Sequence, residues 1–413
     1  VDAPNAAAQA PAATPGGAAA EAAAVDAAAA AGTAVATAGL RVGLVAGEAS
    51  GDLLGSLLLR ALRDRWPGLA PGGIGGPLMR AQGFDAWWPS ERLAVNGFAD
   101  ALGHVPALWQ MRRRLGARLL LERPALFVGI DAPDFNLGLE KRLKRAGLRC
   151  VHFVCPSIWA WRSGRAARLA ASADHVLCLF PFEPALLAQH GVAATFVGHP
   201  LADLIPLEPP HAQARQALGL DGDAPVVALL PGSRGSEVAR LGPRFIDAAA
   251  RLHAQRPQLR FVLPAAPGMR ARLEPMLAAQ RLPLQLLDGR SHEALAACDV
   301  ALVASGTATL ETALFKRPMV IAYHTHPINW WIVEHFVHTR WAGLPNILAG
   351  EGVVPELLQH AATPEAIAAE LGALLDDPTR QAAMRTRFDA LHRELRRDTA
   401  RAATDAIAQI LQA

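Results

Sequence analysis

Short apolar runs, each closed by a polar or glycine-bearing turn and followed by a stretch of helical spacing, recur from Leu40 to Ile321. Arg41 to Ala46, Gly72 to Gly75, Ala86 to Trp88, Leu126 to Ile130, Cys150 to Val154 and Val176 to Phe180 form one series. Beyond a segment marked by Pro206, Pro209 and Pro210, a second series comprises Val226 to Leu230, Leu259 to Leu263, Leu284 to Leu287, Val300 to Val303 and Met319 to Ile321. A strand buried on both faces reads as a continuous apolar run, and strands alternating with helices predict a parallel sheet covered by those helices. The expected fold class is therefore α/β, with two Rossmann-like domains facing across a cleft. The expected division is 39–205 and 206–363 for the two domains, with helices over 364–413 packing back across both.

Composition removes several classes. A chain of 413 residues is long for one core, and 52 % hydrophobic with 19 % charged residues describes a soluble globular protein. The net charge of +3 is too small to argue for nucleic acid. The four cysteines, Cys150, Cys155, Cys178 and Cys298, lack CxxC spacing and are expected to be reduced core residues. No run of about 18 strongly apolar residues is present. Residues 1–38, mostly alanine with proline, glycine and threonine, lack the features of a secretory signal and are expected to be a disordered extension.

The polar loops at the strand ends carry the chemistry. Asp131 is the first polar residue after Phe127–Ile130, at the sheet edge where open α/β folds bind ligands, so it is a candidate general base; closing the turn or capping a helix starting near Leu137 is the alternative. Asp134 and Asn136 read as capping residues. Glu48, Ser50 and Asp52, in a loop expected to precede a helix from Leu53, do not match the dinucleotide fingerprint, and their carboxylates favour a hydroxyl-rich ligand over a pyrophosphate. Gly232, Ser233 and Arg234 follow a strand and offer close backbone approach, a hydroxyl and a two-pronged phosphate grip. Ser305, Gly306 and Thr307 begin a helix after another strand, and Glu311, one turn on, is placed either for ribose hydroxyls or for a capping box.

Phe98, Leu102, Val105, Leu108 and Trp109 have mostly helical apolar spacing, with Arg112 and Arg113 immediately after. That pattern fits a helix on an anionic bilayer surface, although a helix packed on the sheet is the commoner origin of such a pattern. His152, at a strand end, is placed either to orient a ligand or to serve the core. His324 and His326 have no carboxylate set nearby, so no metal is expected.

Taken together, VAGEASGD at 45–52, GIDAPDFN at 129–136, PSIWAWR at 156–162, LPGSRGSEV at 230–238, LLDG at 286–289, SGTATLE at 305–311 and LPN at 344–346 resemble the bacterial lipid-A-disaccharide synthases. The resemblance runs in order from about Leu40 to about Glu356. It implies a GT-B glycosyltransferase, acting with inversion and without a cofactor, that joins UDP-2,3-diacylglucosamine to 2,3-diacylglucosamine 1-phosphate and releases UDP. It further implies Asp131 as base, Arg234 with the 305–311 turn as nucleotide holder, Asn346 beside them, and a peripheral place on the cytoplasmic face of the inner membrane. A homo-oligomer stays open, and no nucleic-acid partner is expected. Two rivals are a non-hydrolysing UDP-sugar epimerase and a non-enzymatic nucleotide-binding regulator.

Overall fold

A computed structural model describes residues 39–412 apart from 91–92, 94–97, 159–163, 221, 279, 281, 328–329 and 332–338; the side chains of 98–105 and 164 also lie outside the description. The expectation for 1–38 and the tryptophans and arginine of PSIWAWR therefore fall outside the described residues.

The first sheet holds β1 (Arg41–Ala46), β2 (Ala70–Gly75), β3 (Asp85–Pro89), β4 (Leu126–Ile130), β5 (Cys150–Phe153), β6 (His175–Cys178) and β7 (Ala194–Phe196), all parallel, in the order β3-β2-β1-β4-β5-β6-β7. The second holds β8 (Val226–Leu230), β9 (Arg260–Ala265), β10 (Leu284–Asp288), β11 (Val300–Ala304), β12 (Met319–Tyr323) and β13 (Glu356–Leu358), again parallel, in the order β10-β9-β8-β11-β12-β13. In both, the winding direction reverses beside the first strand, between β1 and β4 and between β8 and β11. Those reversals open a crevice at the carboxyl ends of the strands. β7 and β13 are the two strands absent from the expected series. Each is a short, half-buried edge strand with no continuous apolar run to announce it.

The central strands are buried throughout, which is why they read as unbroken apolar runs. Val128 and Ile130 face one layer of helices with Leu44, Leu58 and Leu62, while Phe127 faces the other with Leu115, Leu139 and Leu143. Of the C-terminal helices, Pro364–Asp376 and Pro378–Leu395 join the second core through Ile367, Leu371, Met384 and Phe388. Helix Thr399–Gln412 crosses to the first, inserting Ala403, Ala406 and Ile407 beside Leu58 and Leu62. Ala202 and Ile205 already belong to the second core. We retain the divisions after 38, 205 and 363 as a proposal.

The chain thus passes between the sheets twice, and the two crossings touch. The His199 amide donates to the Leu395 carbonyl at 2.9 Å, and Asp203 accepts from the amides of Asp398 and Thr399 at 3.0 and 2.7 Å. That carboxylate sits on the amides at the start of the crossing helix, where negative charge is favoured.

Candidate active site

The loops leaving β1, β4, β8 and β11 meet at the two reversals. The turn after β4 departs most from ordinary backbone: Asp131 and Ala132 both lie in the left-handed region, at φ 50° and 43°. Consecutive non-glycine residues there are unfavourable and persist only where surrounding contacts fix them. Here the Asp131 amide donates to the Phe153 carbonyl at 2.8 Å, and Asn136 Nδ2 donates to the carbonyls of Asp131 at 2.8 Å and Ile130 at 3.3 Å. The following helix, Pro133–Arg145, starts four residues before the expected point, with Ala132 in the capping position and no side-chain cap. Asp134 and Asn136 are therefore inside the helix; Asn136 braces the turn from within.

Asp131 opens into a cleft of about 620 Å³ that Glu48, Trp109, Arg112, Phe135 and Arg234 help to line. Arg234 reaches it from the second sheet; the rest come from the first. Arg234 precedes helix Gly235–Gln255, and the amides of Ser233 and Arg234 donate to Glu237 Oε2 at 3.2 and 3.3 Å. Gly232 stands at φ 115°, and a Cβ there would lie 2.7 Å from the Glu237 Cβ. Glu237 thereby shapes the turn and also pairs with Arg234, Oε1 to Nη1 at 3.5 Å, while the Arg234 side chain stays 77 % exposed. Only the Glu237 half of a capping box forms here, since an arginine side chain has no acceptor to offer the helix amides.

After β11, Gly306 at φ 141° precedes helix Thr307–Leu314. Ser305 Oγ donates to the Ala342 carbonyl at 2.8 Å, and Thr309 Oγ1 donates to the Gly306 carbonyl at 2.7 Å. Glu311 forms no capping box. Its Oε2 lies 3.9 Å from His292 Nε2, and burial pushes its carboxyl up to about 7. Asn346 is fully buried, donating to the Val354 carbonyl and Glu356 Oε1 and accepting from the Val354 amide. Glu356 also takes the amides of Ala342 and Gly343 at 2.8 and 2.9 Å. The structure thus sets Asn346 behind the turn after β11 as a buried anchor.

Two further expectations change at the first sheet. Helix Ala49–Arg65 begins at the loop itself rather than at Leu53, with Glu48 in the capping position. Glu48 and Ser50 are exposed, and Glu48 lines the cleft. Asp52 is turned the other way and buried, accepting from the amides of Gly76, Leu78 and Met79 at 2.9, 2.9 and 3.1 Å. Three amides on one carboxylate make it a brace for the start of helix Pro77–Ala81. His152 is fully buried, with Nδ1 2.7 Å from Glu140 Oε1, and so is a core residue. The periodicity gave no sign of Glu140, a charged residue on the inner face of its helix.

Helix Phe98–Glu122 carries the apolar and basic stretch. The side chains of Phe98, Leu102 and Val105 lie outside the described residues. Leu108 packs against the first core, Trp109 is 52 % exposed at the cleft, and the Arg113 guanidinium sits 4.7 Å over the Trp109 ring. Among the described residues no helix is long and apolar enough to cross a membrane.

Among the described residues one group has a metal-binding composition, Cys155, Cys178 and Glu183, with ligand atoms within 4.8 Å of one another. A hydrogen bond from Cys155, then burial, push the Cys178 thiol well above its usual range. Glu183 Oε2 already accepts from the Phe180 amide at 3.1 Å. Cys155 and Cys178 are free thiols packed with Leu169, Val176 and Leu187 in one buried apolar cluster.

Comparison with known proteins agrees with this geometry. The sequence profile described as lipid-A-disaccharide synthetase matches residues 42–410. The lipid-A-disaccharide synthase of Verminephrobacter eiseniae is 55 % identical over 361 residues, covering 86 % of this chain and 93 % of that protein. The enzyme of the same name from Pseudomonas aeruginosa is 53 % identical over 357 residues, covering 86 % and 94 %. Among solved structures, a UDP-GlcNAc 2-epimerase from Neisseria meningitidis bound to UDP-GlcNAc superposes with a TM-score of 0.60 at 11 % identity, over 90 % of this chain and 100 % of that one. The kitacinnamycin glycotransferase superposes at 0.59 with 16 % identity, over 90 % and 99 %. These two share the fold, a pair of Rossmann-like units. The sequence matches reach further, across nearly every strand and helix described above, and on them the chain belongs to the lipid-A-disaccharide synthetase family.

Proposed function

We propose that the chain transfers the diacylglucosaminyl group of UDP-2,3-diacylglucosamine to the 6-hydroxyl of 2,3-diacylglucosamine 1-phosphate, giving a β-1,6-linked disaccharide 1-phosphate and UDP. Family membership makes it a UDP-sugar glycosyltransferase of bacterial lipid A biosynthesis. The observation that carries the finer reading is the shared cleft. Asp131 from the first sheet and Arg234 from the second line one cavity, each on a loop beside its sheet's reversal.

In this reading the acceptor oxygen attacks the donor's anomeric carbon as the bond from that carbon to the diphosphate oxygen breaks. Asp131 takes the hydroxyl proton, and a single displacement converts the α-linked donor into a β product. A positioned base contributes on the order of a hundredfold to ten thousandfold. Charge gathering on the departing UDP is met by the Arg234 guanidinium and by amides at the start of helix Thr307–Leu314. Glu311, one turn along that helix, is placed to accept from ribose hydroxyls. Leu108 and Trp109 give the acyl chains an apolar wall, and with Arg113 they suit a peripheral place on the cytoplasmic face of the inner membrane.

The deciding assay follows disaccharide and UDP formation from both lipidated substrates in detergent, comparing wild type with Asp131→Asn. Loss of turnover by a hundredfold or more with UDP binding retained is expected. A variant at nearly full rate would reduce Asp131 to a turn residue, and an α-linked product would end the single-displacement mechanism.

A further inference from the structure

We propose that Arg112 selects the phosphorylated acceptor, its guanidinium receiving the phosphate monoester of the acceptor sugar on the first-domain side of the cleft. The inference rests on the reading of that cleft as the meeting place of an acylated acceptor with Asp131.

Arg112 differs from the other arginines of its helix. Arg113 and Arg114 are exposed, and Arg118 pairs with Glu122 at 2.7 Å. Arg112 is half-buried and lines the cleft, and among the described residues no carboxylate lies within ion-pair distance of it. Its one hydrogen bond among the described residues is a long one, Nη1 to the Asp134 carbonyl at 3.4 Å. A guanidinium has five N–H donors in a planar fork, so most of its hydrogen-bonding capacity stays on offer.

The helix opposite is shaped to keep the guanidinium in place. A Cβ on Gly138 would come within 2.6 Å of Arg112 Nη1 and 3.1 Å of Cζ, so the group lies against bare backbone that any other residue would cover. This is helix Pro133–Arg145, whose first turn is uncapped by any side chain and lines the same cleft. Asp134 is the acidic residue of that first turn, and a phosphate at Arg112 would add negative charge close to a helix start that favours it.

Arg234 stands across the cleft on the donor's side, which leaves Arg112 as the cation that lines the first-domain wall. Leu108, Trp109 and Phe135 leave the guanidinium in partly apolar surroundings, where a charge-assisted bond is stronger than in water. Holding the phosphate at one end of the sugar also orients the ring, so Arg112 contributes to presenting the 6-hydroxyl to Asp131.

The test compares acceptor kcat/KM, at saturating donor, for the 1-phosphate lipid and for the same diacylglucosamine lacking the phosphate. Wild type is expected to prefer the phosphorylated acceptor by at least tenfold. Arg112→Gln is expected to lose about ten- to hundredfold on the phosphorylated acceptor and less than threefold on the other, the scale of one lost charge-assisted contact. Gly138→Ala keeps the charge but displaces the guanidinium, and should lose discrimination in the same direction, more mildly. Three results would overturn the proposal: equal losses on both acceptors; a raised donor KM, which assigns Arg112 to the diphosphate; or unchanged kinetics with weakened binding to phosphatidylglycerol vesicles, which assigns it to the lipid surface. Failure of the base reading would show separately, as an Asp131→Asn variant that retains both turnover and acceptor discrimination.

Discussion

His152 and Glu140 meet inside the first domain, Nδ1 to Oε1 at 2.7 Å, with neither side chain exposed to solvent. Gly129 makes the meeting possible: a Cβ there would lie 2.1 Å from the same carboxyl oxygen. The pair joins β5 to helix Pro133–Arg145, whose first residues follow the Asp131 turn. Breaking one partner of a buried pair strands the other, so Glu140→Ala should lower stability by about 3 kcal/mol, while Glu140→Gln retains a bond and loses less. Urea denaturation with an unchanged slope reads the difference. An alanine variant within 0.5 kcal/mol of wild type, about the scatter of neutral surface changes, would mean that the pair carries no net stability.

Glu311 sets a pH dependence. Burial raises its carboxyl from 4.5 to about 7, so between those values the folded chain keeps a proton that the unfolded chain has lost. The stabilisation is therefore full below pH 4.5 and is lost as pH rises through about 7, a change on the order of 3 kcal/mol. Glu311→Gln should flatten that part of the stability profile. If the carboxylate accepts from ribose, wild-type UDP affinity should rise between pH 6 and 8 (roughly one unit either side of the shifted value), and the glutamine variant should show no such rise. Calorimetric titration with UDP across that range gives the answer, and parallel curves for the two proteins would remove Glu311 from the ribose.

Gly232 offers a test of the nucleotide turn. At φ 115°, with the Glu237 Cβ 2.7 Å from any added methyl, alanine fits neither the backbone nor the space. Gly232→Ala should weaken UDP binding about tenfold or more, with a stability loss of about 1–3 kcal/mol. UDP affinity equal to wild type would place the diphosphate elsewhere.

What was legible in the sequence follows from what periodicity encodes. The central strands are buried on both faces, so their residues had to be apolar and announced two parallel sheets. β7 and β13 sit at edges, where no such demand is made. The place of Asp131 at the mouth of the cleft was legible because a carboxylate directly after a buried strand is chemically conspicuous; its role as base stays a proposal. The roles of Asp52, His152 and Asn346 were not, because a polar residue near a loop looks the same whether it faces a ligand or three backbone amides. Only the direction of the side chain separates them, and that depends on partners as remote in sequence as Gly76, Glu140 and Glu356. Arg112 was hidden in a run of arginines, and the glycine that receives it lies on another helix.

Helix Thr399–Gln412 gives the chain an unusual order of completion. Ala403, Ala406 and Ile407 cover Leu58 and Leu62, residues made long before them. That apolar face of the first domain therefore stays uncovered until helix Thr399–Gln412 has been synthesised. A stop just after Leu395 would spare the strands described above, yet leave the first domain the more damaged one, as a sticky surface and a target for chaperones and proteases.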